Sequence, residues 1–588
     1  MREIITLQLG RQSNYVATHF WNAQESYFTY GQDAPSPVNH DIHWRAGVGA
    51  DGSETYLPRT VIYDRKGGFG SLRKVNALYE EAQQQDASAL DLPMSSLWSG
   101  RTVIQRETPI LPSAYVQSLD AGVAPIEPLS PATVRYWSDY SRVYFHPRSL
   151  IEVGDEPEIS GPANSAAANG TSASHHNEAA SAVSRDYTWA DGETLFAELD
   201  REHDLLDRDM RRFVEEADQM QGFQVFASVD DSWGGFAARY LERMRDEYGK
   251  VSIWLWALQQ PVGRLPRQNR IARLANKART LVEAHAQASL VIPLATPSPP
   301  LKSVLPATFD QASMWHTSAL LATAIETAAL PTRLSQRSSG TTGLQCDSLA
   351  NMEDLLNATG KQTVANLQMS VAQPWKEVKD DARKQHRATG SEDGADDDGR
   401  DGSSSSISHK YLHLPIDFAP QDESVVMAGR TERQLGRKKP RMFGQAVVTR
   451  ATPQDGDGKL GDDEDDADNY DRERSAMLDR QEMMHRRYAL QPVSQRYTVP
   501  VGFPLLDSFP YIYSRTTSST LSVPVTTALA TDRAVADRLQ SLRTTVTVGA
   551  PWAIGLEDRE ALGNELAGMA EAYHDGWSSG SDDGDDDD

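Results

Sequence analysis

The chain has 588 residues, 39% of them hydrophobic, and a formal net charge of −25. That length holds two or three domains and a large core, and no apolar run approaches the roughly 20 residues that a membrane helix needs. The single cysteine, Cys346, excludes an internal disulfide framework and a cysteine-based metal cluster.

The acidity is local. Residues 391–402 carry −5, 455–471 carry −8 and 582–588 carry −6, which leaves about −6 on all the rest. Such segments read as solvated loops and a tail. A nearly balanced body disfavours free nucleic acid as a partner, because phosphate binding needs concentrated positive charge. The one basic cluster, Arg437-Lys438-Lys439 with Arg441, is short and reads as a solvated loop. The N-terminus has neither signal-peptide nor transit-peptide character, so the expectation is a protein that starts in the cytosol.

The chain opens MREIITLQLGRQSNYVATHFWNAQE. Ile4, Ile5, Leu7 and Leu9 predict a strand, Gly10 ends it, and Ser13 or Asn14 is expected to cap a helix carrying Val16, Phe20, Trp21 and Ala23. Strand–glycine–helix is the first unit of a parallel α/β domain, and its turn can cradle a phosphate at the helix N-terminus. MREI with Gly10, Asn14 and Phe20-Trp21 resembles the start of tubulin. The form LQLG-x-x-SNYV-x-T-H-x-WN-x-QE resembles the tubulin-like Misato family, whose members are linked to mitochondrial distribution and inheritance.

Tyr30–Gly52 reads as a loop. Thr60–Tyr63 is a predicted strand, Asp64–Gly70 a loop, and Ser71 the expected cap of a following helix. Pro58-Arg59, this strand and Asp64 resemble the second phosphate-side loop of tubulin. Where tubulin places an acid near the magnesium, two residues after that Asp, this chain has Lys66. Residues 131–153 mix aromatic and arginine side chains, and WSDY-x-RVYFHPRS resembles Misato proteins. Trp137–His146 is read as an aromatic packing or docking surface, with a turn at His146-Pro147. His146 has no visible catalytic partner. Residues 154–184, rich in Ala, Ser, Asn and Gly, read as a disordered insertion.

Glu193–Leu206 is a predicted helix. Residues 213–250 then read as helix, strand Phe223–Val229, loop and helix Ala237–Tyr248. EADQMQGFQVF and LERMRDEYGK resemble the tubulin segments on either side of its phosphate loop, GGGTGSG in form. A gapless alignment places Val229, Asp230, Asp231, Ser232, Trp233, Gly234 and Gly235 in that loop. Glycines let backbone N–H groups approach a phosphate closely, and only Gly234 and Gly235 stand here. A carboxylate about 4 Å from a phosphate oxygen is repelled by roughly 4 kcal/mol at intermediate dielectric. Val251–Leu258 is a predicted strand, Arg264–Ala286 a helix and Ser289–Leu294 a strand. The Asn that contacts guanine in tubulin falls at Pro293, a third departure from a nucleotide site.

PSPPLKSVLP reads as a linker. Trp315–Ala329 is a predicted helix that resembles the family's second-domain core helix, and Met352–Met369 is expected to hold another. Tyr411–Phe418 and Met442–Arg450 read as strands, the first at a sheet edge because of Pro415. Arg496–Tyr513 reads as strands broken by prolines, Ser541–Val548 as a further strand and Leu556–Tyr573 as a last helix. There is no P-loop, GxSxG, HExxH or CxxC pair, and the acidic run DGDGKLGDDEDDAD lacks the EF-hand spacing.

The resemblance implies an α/β, tubulin/FtsZ-like architecture. Residues 1–297 would form a Rossmann-like parallel-sheet domain and 298–549 an α+β second domain. A C-terminal helix at 550–576 and an acidic tail at 577–588 would follow, with disordered insertions at 154–184, 385–406 and 453–471. For function it implies partitioning and inheritance of mitochondria and mitochondrial DNA through protein–protein interactions. The expectation is a non-enzyme with no catalytic, cofactor-binding or metal-binding residue and no cofactor, GTP being the alternative. Expected partners are proteins at the mitochondrial surface, with tubulin or chaperonin machinery as further candidates and no direct nucleic acid. The expected location is the peripheral outer surface of the mitochondrion, with a cytosolic pool and no transmembrane segment. The alternatives are an atypical GTP-binding polymerising protein and a cytosolic factor assisting tubulin or microtubule assembly.

Overall fold

A computed structural model describes residues 2–29, 36–49, 52, 54–73, 110–124, 127–154, 188–261, 265–297, 309–335, 346–374, 411–420, 442–450, 493–513, 522–549 and 554–574. The readings made at 155–184, 298–306, 385–406, 437–441, 453–471 and 577–588, and the helix expected after Ser71, lie outside these residues.

The first sheet is built from β1 (Glu3–Leu9), β4 (Thr60–Arg65), β5 (Leu150–Val153), β6 (Met220–Ser228), β7 (Ser252–Gln259) and β8 (Leu290–Ala295). Their order is β5-β4-β1-β6-β7-β8, and every neighbouring pair is parallel. A short ribbon, β2 (Trp44–Val48) with β3 (Glu54–Pro58), precedes β4. Parallel strands need helices on both faces. Ile5, Leu7 and Leu9 of β1 face one apolar core, and Ile4 faces the other. On the Leu7 side lie α3 (Trp189–His203), α4 (Ser232–Glu247) and α5 (Arg267–Gln287). On the Ile4 side lie α1 (Arg11–Glu25) and the almost wholly buried α6 (Met314–Ala329). The helix α2 (Ala114–Asp120) lies between β4 and β5 in the chain.

The second sheet holds β9 (Asn366–Pro374), β10 (Tyr411–Asp417), β11 (Met442–Arg450), β12 (Val493–Val499) and β15 (Val525–Asp532), in the order β10-β9-β15-β11-β12. A two-residue ribbon, β13 (Phe503–Pro504) with β14 (Ser522–Val523), interrupts the connection. The helix α7 (Leu349–Leu356) precedes this sheet, and α8 (Ala534–Thr544) and α9 (Leu556–Glu571) follow it. As Pro415 predicts, β10 is an edge strand.

A buried ionic knot joins the two halves. Glu326 of α6 accepts from Arg333 Nη2 at 2.6 Å, from Tyr27 OH at 2.9 Å and from Gln24 Nε2 at 3.2 Å. Arg450 of β11 also donates to it. Burial opposes the Glu326 charge, but Arg450 and Arg333 outweigh it and hold the carboxyl below its ordinary range.

Three local expectations are corrected. The helix begins at Arg11 rather than behind a Ser13 or Asn14 cap. Gly10, at φ 88°, turns the chain straight from strand into helix with no side-chain cap, while Ser13 Oγ bonds back to Leu9 O at 2.8 Å. The helix expected within Met352–Met369 is present as the end of α7, but it stops at Leu356, and a turn at Gly360 and β9 take the rest. Ser541–Val548 is helical, running from α8 into a π-helical turn at Thr545–Gly549. Its β-branched run suggests a strand, but Val535, Leu539, Leu542 and Val546 recur at helical spacing and all face the core, and tertiary burial overrides propensity.

Candidate functional site

In an open parallel sheet, ligands bind beyond the carboxyl ends of the strands where the winding direction reverses. Here β1 has β4 on one side and β6 on the other, so the reversal lies between β1 and β6. The crevice is therefore bounded by the β1–α1 turn at Gly10 and the β6–α4 turn at Val229–Asp231.

The second turn is shorter than the sequence predicts. Helix α4 starts at Ser232, five residues before the expected Ala237, with Asp231 as its N-cap. Asp231 Oδ1 accepts from Trp233 N at 2.8 Å, and its Oδ2 accepts from Ser228 Oγ at 3.0 Å. Gly234 and Gly235 are thus helical residues and line no loop. Their missing Cβ atoms serve packing. A Cβ on Gly235 would lie 2.0 Å from Trp189 O, one on Gly234 would lie 2.3 Å from Thr280 Oγ1, and one on Gly192 would lie 1.6 Å from Ser232 O. The starts of α3 and α4 touch backbone to backbone.

The crevice itself holds Trp233. Its ring carbons lie 2.6 Å and 2.7 Å from where a Gly10 Cβ would be, so the indole rests on the β1–α1 turn. Only 7% of Trp233 is exposed. Behind it, Asp230 Oδ2 accepts from Gln260 N and from Arg273 Nη1, each at 3.2 Å. Burial pushes the Asp230 carboxyl up to about 6, against the pull of Arg273 and with the help of neighbouring Asp231. Burial raises Asp231 too, opposed by its bonds from Ser228 and the Trp233 backbone. Arg65 reaches Ser232 Oγ at 3.0 Å.

Asp64 stands at the end of β4, buried and fully engaged. Its Oδ2 accepts from Asn14 Nδ2 at 2.8 Å and Trp137 Nε1 at 3.0 Å, and its Oδ1 from Arg65 N at 2.9 Å. Burial raises its pKa despite these bonds. Lys66 is exposed just beyond. Pro293 lies inside β8, paired with Ala257, within the strand expected at Ser289–Leu294. Trp137, Tyr140 and Phe145 face inward at 1%, 0% and 2% exposure. The packing half of the expectation for Trp137–His146 holds, and the docking half is corrected to the exposed Tyr144 alone among its large aromatic side chains. His146 accepts from Arg148 N at the start of a single turn. Among the described residues, no group of three or more His, Cys, Asp or Glu could hold a metal.

Sequence reasoning missed two participants, Arg273, which sits 43 residues from Asp230, and Gly192, which meets Ser232 of α4; it singled out Gly10 but not the indole that rests on it. The one available signal was an Asp-Asp pair needing a buried cation nearby.

Comparison with known proteins agrees with the fold. A Misato segment II tubulin-like domain matches residues 2–121, and a tubulin domain matches residues 126–334. "Protein dml-1" of Neurospora crassa is 46% identical over 602 residues, covering 100% of both chains. "Protein DML1" of Gibberella zeae is 41% identical over 587 residues, again covering 100% of both. "Protein misato homolog 1" of Bos taurus is 31% identical over 402 residues, 62% of this chain and 64% of that protein.

Proposed function

The chain belongs to the Misato family of tubulin-like proteins, and from that premise we propose that it is a non-enzymatic member acting in the partitioning and inheritance of mitochondria and mitochondrial DNA. It would act through protein partners at the mitochondrial outer surface, held there peripherally, with a cytosolic pool. No described helix is long and apolar enough to cross a membrane.

One observation carries the non-enzymatic part: Trp233 lies on Gly10 in the crevice where a tubulin-like fold receives its nucleotide. Two carboxylates back it, and Asp64 is wholly engaged with Asn14, Trp137 and Arg65. Such a domain keeps the tubulin-like scaffold without its pocket, and fold alone does not carry activity. The mitochondrial part rests on the family resemblance.

The test replaces the resident family member of a filamentous fungus with this chain. Mitochondrial morphology and mitochondrial DNA content are scored, and the chain is followed through fractionation. The reading expects normal morphology and DNA content, with the chain in the mitochondrial fraction and released by high salt. Recovery with polymerised microtubules, and no effect on mitochondria, would favour the assembly-factor reading instead.

A further inference from the structure

We propose that Asp231, seconded by Asp230, is a built-in anion standing where a ligand's phosphate would stand, so that the N-terminal domain is permanently in its occupied form. This rests on the reading of the crevice as closed to nucleotide, and it says what closes it.

A helix N-terminus carries unsatisfied N–H groups and roughly half a positive charge, and it attracts anions. The α4 N-terminus points into the sheet's crevice. An incoming phosphate would meet a helix-terminal N–H, a strand-end N–H, a hydroxyl and a guanidinium. In this chain all four already have acceptors. Trp233 N and Ser228 Oγ donate to Asp231 at 2.8 Å and 3.0 Å, and Gln260 N and Arg273 donate to Asp230 at 3.2 Å each. Two guanidiniums stand near the pair: Arg273 donates to Asp230, and Arg65, which reaches Ser232 Oγ at 3.0 Å, adds its positive charge to the surroundings of Asp231.

The same cap places the plug. Asp231 fixes the first turn of α4 by holding the N–H of Trp233, and that turn aims the indole at Gly10. Carboxylate and indole act together: one supplies the charge the crevice calls for, and the other fills its volume. The domain therefore needs no nucleotide to satisfy its switch point.

The experiment titrates inorganic phosphate, against chloride at matched ionic strength, into the full chain and three variants. The readouts are thermal unfolding and hydrogen exchange across α4. The native chain is expected to be indifferent to phosphate. Asp231→Gly should lose several degrees of Tm and faster exchange should appear in α4, and phosphate should reverse both saturably in the millimolar range. Asp231→Asn keeps the cap but loses the charge, so it should keep most of the native Tm and respond to phosphate less than Asp231→Gly but more than the native chain. Trp233→Ala retains the carboxylate and should stay as indifferent as the native chain, which keeps the idea testable if Asp231→Gly fails to fold. An unchanged Tm in Asp231→Gly, no phosphate rescue of it, or a phosphate response in Trp233→Ala overturns the proposal. Saturable stabilisation of the native chain by GTP would instead sink the closed-crevice reading itself.

Discussion

Replacing Gly235 by Ala separates two explanations of why glycines stand where tubulin has its phosphate loop. A Cβ there would sit 2.0 Å from Trp189 O and 3.0 Å from Glu193 N. Non-bonded carbon contacts are comfortable only near 3.5 Å, so α3 and α4 must separate by more than about 1 Å. Such overpacking costs roughly 1–3 kcal/mol, and separating two backbones puts this case at the upper end. Ala gains about 1 kcal/mol over Gly in helix propensity. The net expectation is a loss of about 2 kcal/mol, read as a lower urea midpoint and faster hydrogen exchange in α3 and α4, with or without nucleotide. A glycine retained for a ligand's approach behaves oppositely: Ala would leave the ligand-free protein unchanged or up to about 1 kcal/mol more stable. An unchanged or raised midpoint would refute the packing account. Gly192→Ala, with its contact of 1.6 Å to Ser232 O, should lose more.

Glu326→Gln strands the buried Arg333 and Arg450 guanidiniums without a counter-charge. A loss of about 3–5 kcal/mol is expected, measured by thermal unfolding, and a loss under about 1 kcal/mol would contradict the knot's role. Because the folded Glu326 pKa is lowered, its contribution is present above the ordinary Glu range and is lost as pH falls through the folded value. Glu353 runs the other way: burial between Ser252 and Trp254 pushes it up to about 7. The unfolded chain ionises first, so the stability this group contributes in acid is lost as pH rises from the ordinary Glu range to about 7. Glu353→Gln should therefore gain on the native chain by roughly 3 kcal/mol between pH 4 and pH 8, and a difference independent of pH would refute the assignment.

Much of the fold is legible because local pattern and tertiary burial agree. The alternation that sends Ile5, Leu7 and Leu9 to one core and Ile4 to the other is visible in the first nine residues. Pro415 announces an edge, since an interior strand needs its N–H. The site was harder to read. Gly234-Gly235 suggests a loop, and only the presence of Trp189 and Thr280 against them shows that a helix needs them for close packing. Trp137–His146 looks like a surface because arginines interrupt it, yet Trp137 turns inward to donate to Asp64, 73 residues away. Glu326 and Arg450 are 124 residues apart, a distance at which no local periodicity speaks. What the sequence does show is chemical: an Asp-Asp pair and an indole in a phosphate loop already predict a site that repels phosphate.

The most direct test of the closed crevice is titration of the purified full chain with a fluorescent GTP analogue, with and without magnesium. The account predicts no saturable binding up to about 1 mM, a free energy no better than about −4 kcal/mol. Saturable, magnesium-dependent binding at micromolar concentrations would contradict it, because Trp233 and the Asp230-Asp231 pair would then have to leave the positions they occupy.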